Sequence, residues 1–329
     1  MLIDVRRPEM WGELNDKVKD LLRLPEAVRC QCYQGLGHAV FEITQSTAQF
    51  MSHKKSVAFI KGQTPVFDDL LAYYYKETYQ VNVISHLQMQ SVSEWVENLN
   101  KDTNFVVFSE DHPVTGEFYS FTEELDELLN KKRIWSIRIS HFSHLTKTST
   151  ELRPYSVRLC SYTPDVAVAL IGQRYRSPSL VAHNMHWHTE EFIRSMQNAS
   201  LGHREDQPSV QKFESEIGAR AKVYFQNSSL RLFDRSVVYF QDVNAEAVAQ
   251  RLFQKLNLTP EEGWQLVSTT NMCHWTGMKM FKHWWEPTPQ AEMLRGLLVI
   301  GTQALAIKDF AKLLISSYEE ILKQQSWSV

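Results

Sequence analysis

Asn104-Phe105-Val106-Val107-Phe108 is an apolar run that stops at Ser109-Glu110-Asp111-His112-Pro113-Val114-Thr115-Gly116-Glu117. An apolar run of this length, closed by Pro113 and Gly116, reads as a buried strand ending in a turn. The residues beyond it, Phe121 to Asn130, have helical spacing. Thr122 is placed as the N-cap, and Glu123 and Glu124 lie in the first turn, where the helix dipole favours negative charge. Buried strand, polar turn and amphipathic helix together make one unit of a parallel sheet covered by helices.

The same alternation extends in both directions. Upstream, Gly35-Leu36-Gly37-His38 opens a helical stretch in which Val40, Ile43 and Phe50 share a face. Ser56 to Ile60 and Gln80 to Ile84 read as strands, Phe67 to Thr78 and Ser91 to Leu99 as helices. Downstream, Ile134 to Ile139 and Val157 to Cys160 read as further strands. The expectation is an α/β domain over residues 25–215, with a mostly parallel sheet sandwiched by helices. After about residue 215 the order changes. Arg235 to Phe240 reads as a strand, and Asn244 to Leu256 as a helix capped by Asn244 or Asp242. Leu266 to Thr270 and Leu297 to Gly301 read as strands, and Ala306 to Lys323 as a long helix. This order predicts a smaller α+β domain made of residues 216–329 with 1–24. Met278 to Pro289, with Trp284 and Trp285, reads as a loop packed on the body.

Composition bounds the function. The chain has 329 residues, 43% hydrophobic and 22% charged, with a net charge of −3. No block of like charge points to nucleic acid or a membrane surface, and no apolar stretch reaches the ~18 residues of a membrane helix. The first residues hold no continuous apolar segment, so we expect no secretion signal and a cytoplasmic protein. Cys30, Cys32, Cys160 and Cys273 then read as reduced thiols, with Cys30 and Cys32 as buried strand-end cysteines.

Several of these segments, in this order, resemble the pyridoxal-phosphate (PLP) enzymes of fold type I, the aminotransferases and cysteine desulfurases. Glu110 to Glu117 is similar to the Asn-Pro-x-Thr-Gly turn of that family, with His112 in place of the asparagine. Gly35-Leu36-Gly37-His38-Ala39 resembles the glycine-rich turn that holds the cofactor phosphate at a helix N-terminus. Thr64-Pro65-Val66-Phe67 resembles the segment whose aromatic ring stacks on the pyridine. LLVIGTQALAIKDFAKLLISSYEEIL is similar to the closing strand and helix of the small domain. The resemblance implies a homodimer and a small-molecule ligand. It implies cofactor contacts from Gly35, Gly37, His38, Phe67, His112, Ser161 and Arg174, the last in Gly172-Gln-Arg174-Tyr-Arg176-Ser177.

Carried over residue by residue, the resemblance breaks at two chemical positions. The family aspartate that keeps the pyridine nitrogen protonated is replaced here by Ser140 or His141, the catalytic candidates. The family Ser-x-x-Lys, whose lysine forms the Schiff base, corresponds to Ser161-Tyr162-Thr163-Pro164, and no lysine lies between Lys147 and Lys212. Lys147 comes too early in this register. The arginine that the family places near the closing strand to grip the substrate carboxylate is out of register here, and Arg295 precedes that strand by about two positions. The expectation is therefore an aminotransferase-like pseudoenzyme with no covalently bound cofactor, holding a phosphate-bearing ligand such as PLP or its amine form, PMP. One alternative is an active PLP- or PMP-dependent transferase or lyase with another residue in place of the lysine; histidine plays that part in some sugar dehydratases, which points to His141 or His183. Another is a metal-dependent hydrolase built on His183, His186 and His188, three imidazoles at spacings that suit zinc or copper.

Overall fold

The computed structural model describes residues 16–21, 24–26, 28–61, 74–85, 89, 91–111, 119–141, 152–163, 166–174, 208–218, 220–223, 235–269 and 295–326. The chain divides into two units. One is Met1–His112 with Tyr119–Ser200, and the other is Pro113–Phe118 with Leu201–Val329.

In the first unit the elements run β1 (Arg29–Gln34), α1 (Leu36–Phe50), β2 (Ser56–Lys61), β3 (Gln80–Ser85), α2 (Val92–Glu97), β4 (Thr103–Ser109), α3 (Thr122–Lys131), β5 (Trp135–His141), β6 (Ser156–Thr163) and β7 (Val166–Ile171). They build one seven-stranded sheet in the order β1-β7-β6-β5-β4-β2-β3. Strands β3, β2, β4, β5 and β6 are parallel. Strand β7 runs antiparallel to both β6 and β1. The sheet is mostly parallel, as the alternation of apolar runs and helices requires.

Helices cover both faces. α1 packs on β1, β4, β6 and β7 and buries Ala39, Val40 and Ile43. On the other face α2 and α3 pack on β2 and β4, joining Val96, Leu125 and Leu129 to Ala58, Ile60, Val106 and Phe108. Every residue of β4 is buried, which explains why it reads as an unbroken apolar run.

At this end of the sheet, β7 was not read as a strand, and of β1 only Cys30 and Cys32 were placed, at a strand end. Arg29–Gln34 is Arg-Cys-Gln-Cys-Tyr-Gln and carries too little apolar character. Val166–Ile171 follows β6 after only residues 164 and 165, beyond the strand read over Val157 to Cys160. The cap of α3 also differs from expectation. Phe121 is the N-cap, without a side-chain cap bond, and the Thr122 hydroxyl donates to the Tyr119 carbonyl at 2.9 Å.

The second unit holds a four-stranded antiparallel sheet in the order β10-β11-β9-β8. Its strands are β8 (Lys222–Val223), β9 (Arg235–Tyr239), β10 (Val267–Thr269) and β11 (Leu297–Gly301). The helices are α4 (208–217), α5 (Ala245–Leu256), α6 (Pro260–Leu266), α7 (Thr302–Leu305) and α8 (Phe310–Ser326). Phe240, Val248, Leu252, Phe253, Ile300 and Leu314 are at the centre of one core. Asn244 caps α5, accepting from the Glu246 amide. Thr259 and Glu262 close a reciprocal capping box on α6. The long C-terminal helix expected from Ala306 begins at Phe310. The chain breaks between α7 and α8, and Asp309 takes the left-handed conformation, φ 56°.

Candidate functional site

The carboxyl ends of the parallel strands form the edge where ligands of open α/β sheets bind. Strand β1 delivers the chain to that edge at Gly35. Gly35 has φ 80° and ψ 159°, a conformation open to glycine and strained for any other residue. Its amide donates to the Tyr33 carbonyl at 3.1 Å, and its carbonyl accepts from Ala39 at 3.2 Å, starting α1. The amides of Leu36, Gly37 and His38 lie in the first turn and have no acceptor within the helix. Gly35 offers no side chain to cap them, and no carboxylate lies in the first turn. These amides stand at the positive end of a fifteen-residue helix, where the dipole favours negative charge. His38 flanks it. Its ring meets Tyr33 edge-on at 5.7 Å between centroids, and its Nε2 lies 3.9 Å from Glu42 Oε1.

The strand register brings further residues to the same edge. Gln34, just before Gly35, pairs with Val166 at the start of β7, and Val166 pairs with Thr163 at the end of β6. Ser161 pairs with His141 at the end of β5. Gly35, Gly37, His38, Ser161 and His141 therefore share one rim of the sheet. Arg174 does not join them. β7 reverses the chain, and the Arg174 amide donates to the Pro154 carbonyl, just before β6 begins. That is the opposite edge, roughly 20 Å away along the strands. Phe67, His112, His183, His186 and His188 lie outside the described residues, and so do Pro164 and Asp165. Among the described residues no group of three His, Cys, Asp or Glu side chains could hold a metal ion.

Ser140 turns away from α1. Its hydroxyl donates to the Glu110 carboxylate on the face covered by α3. There it belongs to a buried ion network that no single motif announced. Arg138 pairs with Glu110, Asp126 and Glu123. Arg158 bonds Glu110 Oε1 through Nε at 3.1 Å and Nη2 at 2.9 Å. Arg153 reaches Asp126 at 2.8 Å and Glu123 at 3.2 Å. Ser136 and Ser156 both donate to Asp126 Oδ1, the second at 2.6 Å. Burial alone would weaken the Arg138 charge, but Glu110, Asp126 and Glu123 reverse that and hold its pKa above the ordinary arginine value. Burial likewise opposes ionisation of Glu123, and Arg138 and Arg153 overcome it, lowering its pKa. Cys160 lies directly beside Ser140 in the register. Burial pushes its thiol well above the usual range, so it is no nucleophile.

A period-two signal for this network stands in the sequence. Ser136, Arg138 and Ser140 alternate with Ile137 and Ile139, and Ser156, Arg158 and Cys160 alternate with Val157 and Leu159. Read as strand faces, those patterns place two arginines inside the protein and so require buried carboxylates to meet them.

Solved structures share this fold. A NifS-like protein superposes with a TM-score of 0.68 at 13% identity, over 95% of this chain and 87% of its own. Ureidoglycine-glyoxylate aminotransferase from Bacillus subtilis gives 0.62 at 11% identity, over 96% of this chain and 85% of its own. DndA from Streptomyces lividans gives 0.56 at 12% identity, over 91% of each chain. No family model matches the sequence, and no curated protein matches it. The fold is that of PLP-dependent fold type I enzymes.

Tested against this chain, pyridoxal phosphate fits at one end only. The α1 amides suit a phosphate. Among the described residues of strands β4 to β7 no amine side chain is present to carry a covalent link. The β6–β7 connection consists of residues 164 and 165, which are Pro164 and Asp165, and strands β4 to β7 contain no lysine. At the position of the ring-nitrogen acid, the Ser140 side chain is bonded to Glu110 on the opposite face from α1.

Proposed function

We propose that this protein is an aminotransferase-like member of the fold type I architecture that has given up ordinary transamination and holds a phosphate-bearing small molecule without a covalent bond. The observation that carries this reading is a contrast between two ends of one rim. The Gly35 turn presents backbone amides of the kind that suit a phosphate, while Pro164 and Asp165, the two residues linking β6 and β7, carry no amine that could form an aldimine. In this reading the amides of Leu36, Gly37 and His38 orient the phosphate, and the His38 ring supplies a further donor. His141 and Ser161, adjacent in the sheet, border the ligand's other end. When pyridoxal phosphate is bound, its aldehyde stays free or hydrated, and the protein adds no acid–base chemistry to it. We take the protein to act as a homodimer, as the architecture implies, which light scattering against the 38.3 kDa monomer mass tests.

The test of ligand class is a titration with pyridoxal phosphate, PMP and phosphate-free pyridoxal, followed by ligand absorbance and by competition with inorganic phosphate. The two phosphorylated ligands should bind reversibly, inorganic phosphate should displace them, and pyridoxal should bind at least about tenfold more weakly, reflecting loss of the charge-assisted amide bonds. Equal binding of pyridoxal and pyridoxal phosphate would refute a phosphate site at Gly35.

A further inference from the structure

We propose that the cleft between α4 and the α7–α8 corner binds a small organic acid, its apolar body on the cleft floor and its negative charge between Lys212 and Lys308. The site lies wholly within the second unit and does not depend on the phosphate reading of Gly35. The cleft encloses about 410 Å³, inside the range of roughly 300–1,000 Å³ found for small-molecule pockets.

Two elements build it. Ser209, Lys212, Phe213 and Glu216 line the wall made by α4. They are spaced i, i+3, i+4 and i+7, so they share one face of that helix. The other wall is the corner from Leu305 to Lys312. There the Phe310 amide donates to the Ile307 carbonyl at 3.2 Å and Asp309 takes its left-handed conformation, so the chain turns and leaves Lys308 exposed at the lip. The floor is apolar. Phe213, Phe310 and Ala311 line it at 5% exposure or less, and the Phe213 and Phe310 rings lie 6.0 Å apart. Leu305 and Ile307 extend it, half-buried.

The lip is cationic. Lys212, Lys308 and Lys312 reach it from both walls. Asp309 is already held by Lys312, whose Nζ lies 2.9 Å from its Oδ1. Among the described residues, neither Lys212 nor Lys308 has a carboxylate at ion-pair distance, and Glu216 is the only other carboxylate of the lining. The lining therefore holds three lysines against two carboxylates. The first turn of α8 borders the cleft through Ala311 and Lys312, and its positive end adds to the same field.

This division of chemistry selects the ligand. An apolar body gains by leaving water for the floor. A charge at the lip stays in contact with solvent, so the lysines attract it without a large desolvation cost. A neutral apolar molecule forgoes the lysines, and an inorganic anion leaves the floor wet.

The experiment titrates the full-length protein with anilinonaphthalenesulfonate, an aromatic body with one negative charge, and follows its fluorescence. Octanoate, octanol and inorganic phosphate then compete. The probe should saturate at one per chain and be displaced by octanoate, while octanol, with the same chain and no charge, should compete at least about tenfold more weakly. Inorganic phosphate should not displace it. Lys212→Glu and Lys308→Glu, both at exposed positions, should each weaken octanoate at least about fivefold. Lys101→Glu makes the same change in net charge at an exposed position of the first unit and should leave binding unaltered. Ala306→Trp, at an exposed position of the cleft wall, should block binding while the thermal midpoint is kept. Octanol competing as well as octanoate overturns the proposal. So does binding that fails to saturate, or that survives both lysine reversals. Displacement of the probe by pyridoxal phosphate, with Lys308→Glu without effect, would place it in the first unit and overturn this site while leaving the phosphate reading intact.

Discussion

Arg138 on β5 and Arg158 on β6 stand directly opposite each other in the sheet, and both reach the carboxylate of Glu110 at the end of β4. Two like charges side by side in a core are tolerable only because carboxylates surround them. Glu110 and Asp126 are each about 1% exposed at the side chain, so the network is the hydrogen-bonded core of the sheet on that face. It replaces apolar packing where α3 meets β5 and β6.

Removing one member should therefore be costly. Glu110→Gln leaves Arg138 and Arg158 without their shared counter-charge and should destabilise the first unit by about 3–5 kcal/mol. Urea denaturation followed by Trp fluorescence checks this. Arg153→Gln, at a side chain 30% exposed, should cost no more than about 1 kcal/mol. A loss under about 1 kcal/mol for Glu110→Gln would mean that water or rearrangement already screens the pair.

The same network gives a pH dependence with a defined sign. The folded-state pKa of Glu123 is lowered below its unfolded value, Arg138 and Arg153 prevailing over burial. Its contribution to stability is complete above the ordinary glutamate value of about 4.3 and is lost as pH falls through the lowered folded value. The denaturation midpoint should rise with pH across the acid range, and Glu123→Gln should flatten that rise. A slope identical in the variant would remove Glu123 from the account. Because Glu123 is half exposed, the effect should shrink in high salt.

Gly35→Ala tests the turn itself. Alanine at φ 80° and ψ 159° is strained, at a cost of about 1–3 kcal/mol. Ligand affinity should fall by more than stability alone explains, because the amides of Leu36, Gly37 and His38 lose their alignment. Circular dichroism and ligand titration on the same sample separate the two effects.

In the second unit, Thr259→Ala removes the hydroxyl that accepts from the Glu262 amide and breaks the capping box at the start of α6. Thermal unfolding should show a loss of about 1 kcal/mol. Adding Glu262→Ala should cost little more, since the two side chains act as one device.

How much of this was legible in the sequence differs by element. β4 could be read because a strand buried on both faces carries an apolar run that stands out from its turns, and β5 because Ile137 and Ile139 alternate with polar residues. β1 was legible only through Cys30 and Cys32, because a strand rich in polar side chains lacks that contrast. β7 was missed although Pro164 and Asp165 are turn residues and Val166–Ile171 is an apolar run, because the strand read from the sequence stopped at Cys160. That missed reversal is what sends Arg174 to the far edge of the sheet. Gly35 was legible because a glycine before a helix has a specific backbone use. The Glu110 network was not, although its alternation was present. Its partners come from three strands and a helix, and only the fold brings them together.

The central claim is that this architecture holds its ligand here without a covalent bond. Saturating the protein with pyridoxal phosphate, reducing with borohydride and mapping the products by mass spectrometry tests it most directly. The account predicts unmodified peptides throughout residues 148–211, ligand fully removed by dialysis, and no conversion to PMP when amino acids are added. A stoichiometric phosphopyridoxyl-lysine, at Lys61, Lys147 or any other position, or amino-acid-dependent conversion of the bound ligand, would contradict it.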